Sequence, residues 1–193
     1  MSRSSPCESR DIEPGSNVLV EVEPGQSMFD ACPGAGPDEN VLAIIYERTP
    51  GEWYTEYRAK TNVRPGRLSV VAVGETARSG PETIAGETGL DGVALTETGS
   101  SPADTGWLCE RIGHALDEFG GEPTVVYFDS LTALLRYVDP RDATRFLHPT
   151  SWKVRQSGAT AYYRFDNGTH DERIATRLEP LFDETRSTAS DEG

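Results

Sequence analysis

The run Thr124-Val125-Val126-Tyr127-Phe128-Asp129 most constrains what this chain can fold into. It is β-branched, aromatic and apolar, it is bounded by Gly121 and Pro123, and it ends in a carboxylate. A short run of that kind reads as a strand buried on both faces. Strands of this type belong to parallel sheets covered by helices. The carboxylate then lies at the strand's carboxyl end, where open α/β sheets place their ligands. The plainer alternative is that Asp129 or Ser130 caps a helix that begins at Leu131.

Further strands follow from similar runs at Asn17–Val22, Val41–Tyr46, Leu68–Val73, Gly92–Thr96 (a short edge) and Gly158–Phe165. Between them lie helical patterns. Ser27–Cys32 suits a short helix. Thr49-Pro50 starts one that runs to about Lys60, with Thr49 as cap. Ser101-Pro102-Ala103-Asp104 opens another, in which Leu108, Ile112, Leu116 and Phe119 share a face until Gly120-Gly121 stops it. Leu131–Val138 reads as helical. Asp139-Pro140 starts a helix with Phe146 and Leu147 inward, which Pro149 should end or kink. Ile174, Leu178 and Leu181 mark a final helix. Gly113 suits a close helix–sheet approach or is neutral, and Trp53, Tyr54, Trp107 and Trp152 suit the core or an interface, with the core as the default. Residues 74–91 carry no legible pattern.

Strands alternating with helices predict an α/β fold, a single-domain three-layer sandwich around a mostly parallel sheet. Residues 1–16 read as a disordered arm, 17–183 as the domain and 184–193 as a disordered tail.

Charge narrows the function. The chain has 32 Asp+Glu against 18 Lys+Arg, a formal net charge of −14. That disfavours a broad nucleic-acid surface, which needs a basic face. Lys60 and Lys153 are its lysines; the other basic residues are arginines. Acid excess with few lysines fits a surface hydrated in concentrated salt, so a salt-adapted, haloarchaeal cytoplasm is expected; the alternative is an ordinary acidic mesophilic protein. Cys7, Cys32 and Cys109 form no CxxC pair, and His114, His148 and His170 are scattered, so no metal site is expected. No run suggests a signal peptide or a membrane span. Arg136, Arg141, Arg145 and Arg155 follow the central strand; they suit an acidic partner or simple pairing with nearby acids.

Three ordered stretches resemble the KaiC and RadA/RecA-like ATPases. Tyr46-Glu47-Arg48-Thr49-Pro50 resembles their Glu-Glu-Ser/Thr-Pro segment. Phe128-Asp129-Ser130-Leu131-Thr132-Ala133 resembles their Walker B strand. Gln156-Ser157-Gly158-Ala159-Thr160-Ala161 resembles the strand after it. The Asp129-Ser130-Leu131-Thr132-Ala133-Leu134-Leu135 and Phe146-Leu147-His148 elements also resemble those of a haloarchaeal RecA/KaiC-like family with a degenerate Walker A motif.

That resemblance implies a RecA/KaiC-like fold. Asp129 would match the metal-side aspartate, with Ser130 beside it, and Glu47 the first catalytic glutamate; Arg48 stands where the family has the second. The phosphate loop is the point of departure. A GxxxxGK[ST] loop cradles phosphates with backbone N–H groups and a lysine. Here the corresponding stretch is Glu23-Pro24-Gly25-Gln26-Ser27, with no lysine before Lys60. The resemblance therefore implies a non-catalytic module acting through a protein partner, a RecA/KaiC-like ATPase or itself, with no cofactor. Two alternatives are a divergent ATPase using ATP, Mg, Glu47 and Asp129, and a small-ligand sensor around residues 23–29, 47 and 129–130.

Overall fold

The computed structural model describes residues 12–74, 93–96, 101–169 and 172–189. Positions 1–11 of the expected arm, the stretch 75–91, Gly92, His170 and positions 190–193 of the expected tail lie outside these residues.

The strands are β1 (Asn17–Val22), β2 (Asn40–Ile45), β3 (Leu68–Ala72), β4 (Val93–Thr96), β5 (Thr124–Asp129), β6 (Thr160–Asp166) and β7 (Glu184–Ser187). The helices are α1 (Pro50–Thr61), α2 (Thr105–Glu118), α3 (Leu131–Leu134), α4 (Pro140–Ser157) and α5 (Glu172–Leu178). All seven strands join one sheet in the order β4-β3-β2-β5-β6-β1-β7, and every pairing is parallel. The chain is thus an α/β protein with a parallel sheet.

Strand alternation divides the core in two. On one face Leu42, Ile44, Val126, Phe128, Ala161 and Tyr163 pack under α2 and α4. On the other, Val41, Ala43, Ile45, Val125, Tyr127 and Tyr162 pack under α1 and a 3-10 turn at Met28–Asp30. Both faces are dry, which is why β2 and β5 read as unbroken apolar runs. The crossover from β2 to β3 passes through α1 on one face; the crossover from β5 to β6 passes through α3 and α4 on the other. The crossovers therefore diverge between β2 and β5. Because the strands are parallel, their carboxyl ends share one edge of the sheet, and a crevice is expected at this divergence.

Several expectations need correction. The tail expected over 184–193 instead supplies β7, which pairs with β1. Its burial alternates half-buried with exposed, as an edge strand needs no apolar side chains. Asp183 anchors it: Asn17 N–H donates to its carboxylate at 2.8 Å, and its own N–H donates to the Asn17 carbonyl. Positions 12–16 of the expected arm are also structured, with Ile12 packed against the core and a turn closed by Ser16 N–H on the Glu13 carbonyl.

Pro149 does not end its helix; α4 continues to Ser157. The helix is held from both sides of the proline by Phe146, Leu147, Thr150 and Val154, all buried. Their burial outweighs a cost of about 3 kcal/mol. The helix expected over 131–138 is one turn, Leu131–Leu134; Arg136 and Tyr137 N–H groups then bond carbonyls three residues back. Gly113 faces Lys153 on α4 rather than the sheet. Trp53 and Tyr54 are in the core, Trp107 is half-buried, and Trp152 is 59% exposed.

Candidate functional site

The sheet's carboxyl edge gathers residues that are far apart in sequence. Register places Ile45 of β2 opposite Asp129 of β5, and Tyr46 N–H donates to the Asp129 carbonyl at 3.0 Å. The chain then leaves β2 as Glu47-Arg48 before Thr49 caps α1. That cap is a closed capping box: Glu52 N–H donates to Thr49 Oγ1, and Thr49 N–H donates back to the Glu52 carboxylate. On the other side of β5, register sets Phe128 opposite Tyr163 and so brings Arg164 of β6 beside Asp129.

Asp129 is 5% exposed and lies between two guanidinium groups. Arg164 Nη1 donates to its Oδ1 at 3.1 Å. Arg48 Nη2 lies 2.9 Å from Oδ2 as an ion pair, outside hydrogen-bonding alignment. Arg164 also grips Asp166 at 2.7 Å, and Arg48 pairs with Glu56. The Asp166 N–H donates to Thr132 Oγ1 at 2.7 Å, which joins β6 to α3. Burial pushes the Asp129 carboxyl above its ordinary range, and Arg48 and Arg164 pull it back only in part. Arg164 loses some proton affinity to burial, but Asp129 and Asp166 more than restore it and raise it.

Ser130, not Asp129, is the helix cap. Its hydroxyl accepts the Ala133 N–H at 3.1 Å, and Ser130 is buried. The Asp129–Ser130 peptide is cis. Glu47 pairs with Arg136, and both side chains are about half exposed. The structure thus brings Arg48, Asp129 and Arg164 together and turns Glu47 toward the segment after α3.

The loop after β1 is closed on itself. Gln26 N–H donates to the Glu23 carbonyl, and Gly25 takes φ +82°, a turn conformation that suits glycine. Ser27 N–H donates to the Asp30 carboxylate at 3.0 Å, and Phe29 N–H to Ser27 Oγ. Asp30, Ala31 and Cys32 N–H groups bond carbonyls within the same loop. Pro24 has no N–H. Six of the N–H groups that could face a phosphate, those of Gln26, Ser27, Phe29, Asp30, Ala31 and Cys32, are therefore spent within the loop. Glu23 is held too, its N–H on Thr188 Oγ1 and its carboxylate accepting from Asn167.

The residues after the loop are apolar plugs. Met28 is fully buried, and Phe29 meets Trp53, Tyr57 and Tyr127 edge-on at 5.4–5.8 Å. Lys60 pairs with Asp30 at 2.8 Å across the outside of this cluster. Burial opposes ionisation of Asp30, but Lys60 and the Ser27 N–H hold its carboxyl below the usual range.

Sequence reasoning missed Arg164 and Asp166. Their signal was two charges, Tyr163-Arg164-Phe165-Asp166, at the end of an otherwise apolar strand. A charge on a strand that is covered on both faces needs a partner, because burying it unpaired is costly.

Among known proteins, a family model described as a family of unknown function (DUF7504) matches residues 15–186. No curated protein matches the chain.

Proposed function

Since the chain belongs to the DUF7504 family, we propose its role from its geometry: a non-catalytic RecA/KaiC-like regulatory or assembly module that works through protein contacts in a salt-adapted cytoplasm. Three things support the RecA/KaiC-like part. The sheet is parallel with helices on both faces, the Tyr46–Pro50 and Phe128–Ala133 stretches lead out of adjacent strands, and Gln156–Ala161 leads into the next strand over.

The observation that carries the non-catalytic part is the Asp129 clamp. A Mg²⁺ ion at this carboxylate would have to displace two guanidinium groups at 2.9 and 3.1 Å. The site already holds fixed positive charge where the metal's charge would go. In the loop at 23–27 the N–H groups of Glu23, Gln26 and Ser27 are engaged, Pro24 has none, no lysine meets an outer phosphate, and Met28 and Phe29 occupy the adjoining core. Phosphoryl transfer depends on electrostatic stabilisation of the transferring group. The residues present do not fit Mg-ATP, and we assign no step through it. A parallel α/β domain without this machinery still offers surfaces, and those are its remaining use.

Calorimetric titration of ATP with Mg²⁺ in molar KCl tests this reading. No saturable heat and no thermal stabilisation are expected. Saturable binding that Asp129→Ala abolishes would sink the proposal and make the ATPase reading the leading one.

A further inference from the structure

The outer face of α4 carries a stripe at helical spacing: Arg141, Arg145, His148, Trp152 and Arg155, all exposed. Steps of four, three, four and three residues keep them on one face. Arg145 is 82% exposed and Trp152 59%. A basic, aromatic ridge on a chain of net charge −14 is a local reversal of sign, although Arg145 already pairs with Asp142 and Arg155 with Asp183. Tryptophan and arginine are the residue types that dominate binding energy at interfaces.

The opposite surface chemistry lies close by. A cleft of about 430 Å³ opens between β1, β6 and α5, with Leu19, Phe165 and Ala175 as apolar walls and Glu21 and Glu179 as carboxylates. Neither carboxylate has an ion-pair partner among the described residues. Burial, then Glu179 and Glu23, push the Glu21 carboxyl up, so an arriving cation would relieve repulsion there. The ridge and the cleft adjoin through the 3-10 turn Glu179–Leu181. Glu179 lines the cleft, while Pro180 and Leu181 line the groove of about 280 Å³ beside Trp152. A surface that carries both knob and socket meets the requirement of a two-fold interface, in which residue i of each copy meets residue j of the other.

We propose that Trp152 and its flanking arginines insert into the acid-rimmed cleft of a second copy of this chain, and reciprocally, to form a two-fold dimer. This rests on the assembly reading above and names the partner. Nucleic acid fits the ridge poorly. The stripe runs from Arg141 to Arg155, roughly 21 Å of helix, along which a duplex presents about 12 phosphates. Three arginines and a histidine do not match that charge, and the rest of the protein repels it.

Sedimentation equilibrium of the full chain, from micromolar to near-millimolar concentration in molar KCl, tests the dimer. The wild-type chain should dimerise, and Trp152→Ala should weaken it about tenfold or more. Arg141→Glu/Arg145→Glu reverses the ridge, and Glu21→Lys/Glu179→Lys reverses the cleft. Each double variant alone should be monomeric. Mixed together they should form a heterodimer, because both contacts then join opposite charges. A monomeric wild-type chain overturns the proposal, as does a dimer that neither reversal affects. The nucleotide titration is independent: a monomer that binds no ATP removes only the dimer, whereas ATP binding removes the non-catalytic reading whatever the assembly state.

Discussion

Arg164→Ala should be among the most destabilising single changes in this protein that remove no apolar core. Asp129 is 5% exposed, and Arg164 supplies its hydrogen bond at 3.1 Å as well as holding Asp166. Removing one partner of a buried ion pair costs about 3–5 kcal/mol, because the other charge stays buried. Arg164 is itself 20% exposed and Arg48 remains on the second oxygen, so the lower end applies, about 3 kcal/mol. In a chain of this size that lowers Tm by roughly 6–12 °C. Arg48→Ala should cost less, about 1–2 kcal/mol, since its contact with Asp129 is an ion pair without hydrogen-bond alignment. Urea unfolding followed by tryptophan fluorescence reads both. A double-mutant cycle with Asp129→Asn should show that the Arg164→Ala penalty shrinks by more than about 1 kcal/mol when the charge is gone. The pH dependence gives a second handle. Burial raises the folded pKa of Asp129 above its unfolded value, and the arginines only partly offset this. Such a group adds stability below its unfolded pKa and loses it as pH rises through the folded pKa. Removing Arg164 widens that gap, so the variant's deficit against wild type should narrow as pH falls from about 7 toward 4. A deficit below about 0.5 kcal/mol, or one that stays constant with pH, would refute the clamp.

Three other outcomes follow from the packing. Phe29→Ala should cost about 3–5 kcal/mol by opening a hole among Trp53, Tyr57 and Tyr127; a change under 1 kcal/mol in urea unfolding would mean that the loop is not anchored there. Pro149→Ala should stabilise the chain by about 1–3 kcal/mol, because it restores an N–H inside a helix that already runs through the site; a lowered Tm would contradict this. In acid, stability should fall as the caps protonate. Glu52 is held below its usual range by Thr49, and Asp139 by the N–H groups of Asp142 and Arg141. Lowered folded pKa values stabilise above the unfolded value and are lost as pH falls through the folded one, so the loss belongs below about pH 4. Helicity of Asp139→Asn that matches wild type in acid but not at neutral pH would fit; equal helicity at both would not.

The amino-acid sequence by itself determined the strands β1 to β6, the two best-capped helices α1 and α2, and the α/β class. Those signals are local: apolar runs such as Val41–Ile45 and Thr124–Phe128, and caps such as Thr49-Pro50 and Asp104, report their own conformation. It also put a carboxylate at the end of the central strand and withheld lysine from the loop after β1. Only the tertiary structure decided what those residues do. Arg164 lies 35 positions from Asp129, and nothing local links them until β6 pairs with β5. The polar segment at 184–187 became a strand because β1 offered an open edge and Asp183 could be tied to Asn17. Pro149 stayed inside a helix because apolar residues on both sides of it were buried by the sheet. Trp152 stayed out of the core because the inner face of α4 was already filled by Phe146, Leu147, Thr150 and Val154. In each case the deciding free energy comes from partners distant along the chain, and burial or pairing with them outweighs the local preference that sequence periodicity can read.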